Sequence, residues 1–153
     1  MRLMAFLCGA MCLFGSPVTA QTSASDLAGT WELMSIESRT EAGDWVPAPF
    51  PGYGHAVGIL MYDDNGNMAV QITTSPREVQ LPDSLGFVNG YEAYYGEYEV
   101  DAEDGTVTHH RRNHLNQDYC CPSVVRYFQF SGDVLTLTIA PRQQRRLNWA
   151  RVR

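Results

Sequence analysis

The sequence predicts an all-β chain closed into an eight-stranded antiparallel up-and-down barrel. Three observations carry that expectation. Eight short segments alternate apolar and polar residues, the pattern of strands with one buried and one solvated face. Short turns join most of them, the clearest being Asn65-Gly66 within DDNGN, a pair that tolerates the positive φ angles of a tight hairpin. No stretch carries the 3.6-residue period of a long helix. Sequential strands on so short a chain close most readily on themselves, because closure removes unpaired edges; an open sandwich is the alternative.

Taken in chain order, residues 1–20, MRLMAFLCGAMCLFGSPVTA, combine Arg2, an apolar run from Leu3 to Phe14 and small residues at Val18 and Ala20. This is the pattern of a signal peptide cleaved near Ala20. A membrane span needs about 20 apolar residues, and this run breaks at Gly15-Ser16-Pro17. The expectation is therefore a secreted or periplasmic protein without stable membrane insertion, its domain formed by residues 21–153. In LAGTWELMSIESR, Trp31 and Leu33 alternate with Glu32, giving the first strand. Glu41 to Gly54 reads as a loop, since Pro47, Pro49 and Pro51 cannot donate to a ladder. HAVGILMYD and MAVQITT flank the Asn-Gly turn. Ser75 to Gly90 is interrupted by Pro and Gly and reads as a lid or mouth loop. YEAYYGEYEV and TVTHHRR flank DAEDG, VVRYFQF and VLTLTIA flank SGD, and RRLNWARVR closes the set.

Charge narrows the function. Loss of Arg2 with the leader lowers the 11 basic side chains by one against 17 acidic ones, taking the net charge from −6 to −7. Such a surface repels a phosphate backbone, so no nucleic-acid partner is expected. Every basic side chain is arginine, which excludes a lysine Schiff base or nucleophile. No Gly-x-Ser-x-Gly elbow and no Gly-rich phosphate loop occurs. The residues call for no cofactor. An eight-stranded barrel is wide enough to hold one small ligand.

Gly29-Thr30-Trp31 and the terminal WARV resemble the two ends of a lipocalin, in which a Gly-x-Trp on the first strand closes the base and an arginine of the last strand packs across the indole. Trp31 and Arg151 match those roles, and a stacked cation–π contact supplies the physical reason. More narrowly, GTWELMS, GILMYDDNGNMAVQI, YYGEYEVD, GTVTHHR, RYFQFSGDVLTL and LNWARV together resemble the lipocalin-like domain family of bacteria and fungi. The resemblance covers nearly all of Leu27 to Val152 in order. It implies a barrel that binds a small hydrophobic molecule, and it implies no reaction.

The stretch GTVTHHRRNHLNQDYCCP, Gly105 to Pro122, concentrates three of the four histidines. Successive strand residues face opposite sides, so His109 and His110 cannot chelate one ion. Val107, His109 and Arg111 share one face; Thr108, His110 and Arg112 share the other. The spacing matches no zinc pattern, and no metal is expected. His109 is expected inside, in phase with Val107, with Tyr98 and Arg126 as neighbours. Tyr62, Gln71, Tyr94 and Tyr95 are further pocket candidates, since a tyrosine offers an apolar body and a polar tip. Cys120 and Cys121 are adjacent, and consecutive Cα atoms on a trans peptide lie about 3.8 Å apart, below the usual disulfide separation. A strained ring, an intermolecular bridge and two free thiols all stay open.

Two functions follow. One is an exported protein binding a small, mainly hydrophobic molecule through His109, Arg126, Tyr98, Tyr62, Gln71 and Tyr94. The alternative is a cofactor-independent isomerase or cyclase, in which His109 serves as acid or base near its ordinary pKa, Tyr98 donates and Arg126 stabilises developing negative charge. The acidic row Glu97, Glu99, Asp101, Glu103 and Asp104 reads as a solvated strand edge and turn in preference to a partner surface.

Overall fold

A computed structural model describes residues 24–49, 56–74 and 87–153. The leader and its cleavage site lie outside them, as do His55 and most of the expected lid loop. The described strands are β1 (Gly29–Arg39), β2 (Trp45–Pro47), β3 (Val57–Tyr62), β4 (Asn67–Thr73), β5 (Tyr91–Asp101), β6 (Thr106–His114), β7 (Val124–Ser131), β8 (Val134–Ile139) and β9 (Arg145–Arg151). From β3 onward each pairs antiparallel with the next, β1 pairs with β3, and β9 returns to β1. Eight staves thus form the closed barrel that alternation predicts.

β2 is an addition. It lies within the segment expected to be wholly loop, pairing Trp45–Pro47 with Arg39–Glu37 of β1. Its proline sits at the strand end, where a missing N–H is tolerated. Trp45 is held there by cations, with Arg146 4.5 Å and Arg39 5.8 Å from its ring centre.

The base is sealed as the resemblance implies. Trp31 is fully buried, and its Nε1–H donates to the Leu27 carbonyl at 2.9 Å, from the one-turn helix Ala24–Leu27. Arg151 lies 4.1 Å from the Trp31 ring centre and donates to the carbonyls of Ala28 and Asp26. Gly29 has φ +137°, and a Cβ there would stand 2.7 Å from the Arg151 Nη1. The glycine before Trp31 therefore leaves room for the guanidinium that covers it.

Above this base, Leu33, Ile36, Leu60, Val70, Ile72, Val107, Phe128, Leu135, Leu137 and Trp149 form the buried inner wall. Two irregularities adjust which residues face it. Between Leu33 and Ser35 the β1–β9 register shifts, leaving Met34 outside. Between Tyr95 and Gly96 the β5–β6 register shifts, so that Gly96 faces Arg111 while Tyr95 faces Asn113. Arg112 is the extra residue of this β-bulge. A Cβ on Gly96 would fall 2.0 Å from the His110 carbonyl oxygen, so this close approach requires glycine.

Candidate functional site

Inside the barrel lies a cavity of about 1010 Å³. Leu60, Val70, Ile72, Leu137, Leu147 and Trp149 provide apolar wall, and Tyr119, Ser123, Pro141 and Arg142 reach it from the inter-strand connections. Phe87, buried where the expected lid loop rejoins the described chain, also lines it. The cavity thus lies away from the end sealed by Trp31 and Arg151.

Alternation carries His109 inward and His110 outward. His109 is buried between two phenols: the Tyr62 hydroxyl lies 2.6 Å from Nε2 and the Tyr94 hydroxyl 3.2 Å from Nδ1. A neutral imidazole has one donor and one acceptor nitrogen, so both are satisfied, one by each tyrosine. His110 instead meets Ser123 Oγ at 2.8 Å and the exposed Glu99 carboxylate at 3.3 Å. His109 does not keep its ordinary pKa. Burial, then the positive charges of Arg126 and Arg111, hold it well below the usual value, so it stays neutral. Burial also raises the pKa of both phenols, while the Arg126 charge opposes the rise.

This has a sign for stability. Below pH about 6.5 an unfolded imidazole takes up a proton that the folded His109 refuses. Stability should therefore fall on acidification through that window, by up to about 1.4 kcal/mol per pH unit from this group, and be unaffected by it above. His109→Gln keeps a donor and an acceptor but does not titrate. Urea unfolding from pH 7 to 5 should show a shallower loss for the variant than for the parent; parallel curves would mean that His109 protonates in the folded state.

The other expected residues divide. Arg126 and Tyr94 line the cavity with His109. Tyr62 is buried behind His109. Tyr98 is buried too, but its ring packs on Tyr62 at 4.6 Å and its hydroxyl donates to the Asp63 carbonyl at 2.9 Å. It supports the closed side and does not line the cavity. Gln71 is a correction: it is exposed and accepts from the Tyr91 hydroxyl at 2.6 Å. Val70 and Ile72 take the inner face, which leaves Gln71 the outer one. Tyr95, 53 % exposed, also points outward.

Three cavity residues, and a histidine buried beside Tyr94, were not among those expected. Arg111 lies 5.7 Å from the Tyr94 ring centre, and its Nε–H donates to the Pro122 carbonyl at 3.0 Å. Glu92 lines the wall two residues before Tyr94, and Arg145 lines it in alternation with Leu147 and Trp149. His114 is buried, stacked on Tyr94 at 5.5 Å. Its Nδ1 lies 3.0 Å from the Asn116 nitrogen and 3.1 Å from the Asn116 carbonyl oxygen, and its Nε2 lies 3.6 Å from the Glu92 carboxylate. Alternation identifies the first three. His114 turns inward only because the bulge at Arg112 inverts the phase of β6, so His110 and His114 lie on opposite faces. Cys120 and Cys121, beside the cavity-lining Tyr119, are joined as a disulfide.

Comparison with known families agrees with this geometry. The model of the lipocalin-like domain family matches residues 28–152. No curated protein matches the chain.

Proposed function

Because the chain belongs to the lipocalin-like domain family, we propose that it is an exported carrier that binds a small, mainly hydrophobic molecule inside its barrel. The cavity carries this reading. Its volume suits a small organic ligand, and its wall combines apolar side chains with a few convergent polar groups, the composition that fixes orientation as well as affinity. The histidine in its wall favours a carrier over the isomerase or cyclase alternative. His109 is neutral, with both nitrogens bonded to tyrosines, whereas a general base needs a free nitrogen within reach of substrate.

Native mass spectrometry of protein purified from its own host tests the proposal. The expected species begins at Gln21 and carries one retained small molecule per barrel. Released and offered again, that molecule should rebind and be recovered unchanged. Retention of the leader would contradict export, and conversion of the molecule would establish the enzyme instead. His110→Ala, which alters only the outer face, should leave the retained mass in place.

A further inference from the structure

The charge inside the barrel is opposite to that of the chain. The sequence carries a net −6, yet among the described residues Arg111, Arg126, Arg142 and Arg145 line the cavity against one carboxylate, that of Glu92. Glu92 itself is turned to His114. None of the ion pairs formed by the described residues involves Arg111 or Arg126. Each has one fixed backbone acceptor: Arg111 donates to the Pro122 carbonyl, and Arg126 donates through Nη1 to the Val125 carbonyl at 3.1 Å. A guanidinium has five N–H donors, so most of its capacity is left over.

Arg111 stands 5.7 Å from the Tyr94 ring centre, Arg126 lines the same cavity, and the two cations repel each other, an arrangement that counts against folding unless something offsets it. The oxygen of Tyr94 lies 3.2 Å from the His109 Nδ1. The short Tyr62 contact fits O–H donation to the His109 Nε2, which leaves Nδ1–H to donate to Tyr94 and frees the Tyr94 proton for a further acceptor. Three donors thus converge on one side of a cavity whose remaining wall is largely apolar. There, the buried Trp149 Nε1–H also has no acceptor among the described residues.

We infer that the cavity selects an amphipathic anion, its acidic head held by Arg111, Arg126 and the Tyr94 hydroxyl and its apolar body laid over Leu60, Val70, Leu137, Leu147 and Trp149. This rests on the carrier reading and adds the ligand's charge to it. A bare inorganic anion would leave the apolar wall unfilled. A neutral hydrocarbon would cover the two half-buried guanidiniums and the Tyr94 hydroxyl without offering them an acceptor, and desolvating such groups unpaired is costly. A carboxylate or a sulfonate on an apolar frame answers both requirements, because a planar guanidinium holds either through paired hydrogen bonds.

Two fluorescent dyes with the same aromatic frame test this. 8-Anilinonaphthalene-1-sulfonate carries the anion and N-phenyl-1-naphthylamine lacks it. Arg126→Gln is expected to weaken the sulfonate dye by at least about tenfold, the loss of one charge-assisted contact, and to change the neutral dye by less than about twofold. Adding Arg111→Gln should deepen the first loss only, and Arg126→Lys should recover part of it. Inorganic phosphate at millimolar concentration should not displace the sulfonate dye. Equal weakening of both dyes, no weakening of either, or displacement by phosphate would each overturn the anion inference while leaving a barrel that binds apolar molecules. Failure of the parent to bind either dye would overturn the carrier reading with it.

Discussion

Gly96→Val is expected to destabilise the protein by about 4 kcal/mol, lowering its melting temperature by roughly 15 °C. The physical cause is local and severe. A Cβ on residue 96 would overlap the His110 carbonyl oxygen, part of the strand paired with it, and the atom met is backbone, which no side-chain rotation can move away. To admit it, β5 and β6 must separate at the bulge. The site would suffer with the fold, since this bulge turns His114 inward behind Tyr94 while keeping His109 and Arg111 on the cavity side. Thermal unfolding followed by circular dichroism measures the effect. A melting temperature within a few degrees of the parent's would show that β5 and β6 do not approach as closely as described.

Trp31→Ala should cost a similar amount, about 4 kcal/mol, in the range found when a buried tryptophan is truncated. Here the indole is the floor of the barrel: it packs against Phe130 at 5.9 Å, donates to Leu27 and lies beneath Arg151. Arg151→Ala should cost less, about 2 kcal/mol, because it removes the stacked cation and its hydrogen bonds to the carbonyls of Ala28 and Asp26. Their contact should make the effects non-additive. A double-mutant cycle by urea unfolding should give a coupling of about 1 kcal/mol. Zero coupling would remove the cation–π account of closure. Neither residue lines the cavity, so ligand preference should survive both changes wherever the barrel still folds.

Much of this was legible in the sequence for a simple reason. Strand alternation is a local rule, and a barrel applies it eight times without the long-range choices that complicate other folds. It placed His109 inside with Tyr98 opposite on β5, and it supports Arg111, Glu92 and Arg145, whose phases match His109, Tyr94 and Leu147. The expectation for Gln71 went against the same rule, since Val70 and Ile72 already claim the inner face. His114 lay beyond the rule's reach. Its inward turn depends on one inserted residue, Arg112, tolerated because a glycine stands across the ladder, and such a pairing between distant segments leaves no mark in either segment alone. The protonation of His109 was illegible for a related reason: its pKa is set by burial and by Arg126, which comes from another strand.

The three tryptophans offer the most direct test of the central claim, that the barrel interior is where this protein binds. Trp149 lines the cavity, Trp31 seals the base beneath it, and Trp45 sits on the outlying β2 among arginines. In a ¹⁵N–¹H spectrum each indole N–H gives its own signal. Titration with N-phenyl-1-naphthylamine is predicted to move the Trp149 signal strongly, while the Trp31 and Trp45 signals stay within a line width of their starting positions. A saturable interaction that leaves Trp149 unmoved, with shifts confined to outer residues such as Ala93, Tyr95 and Leu115, would place binding on the outside of the barrel and contradict the account.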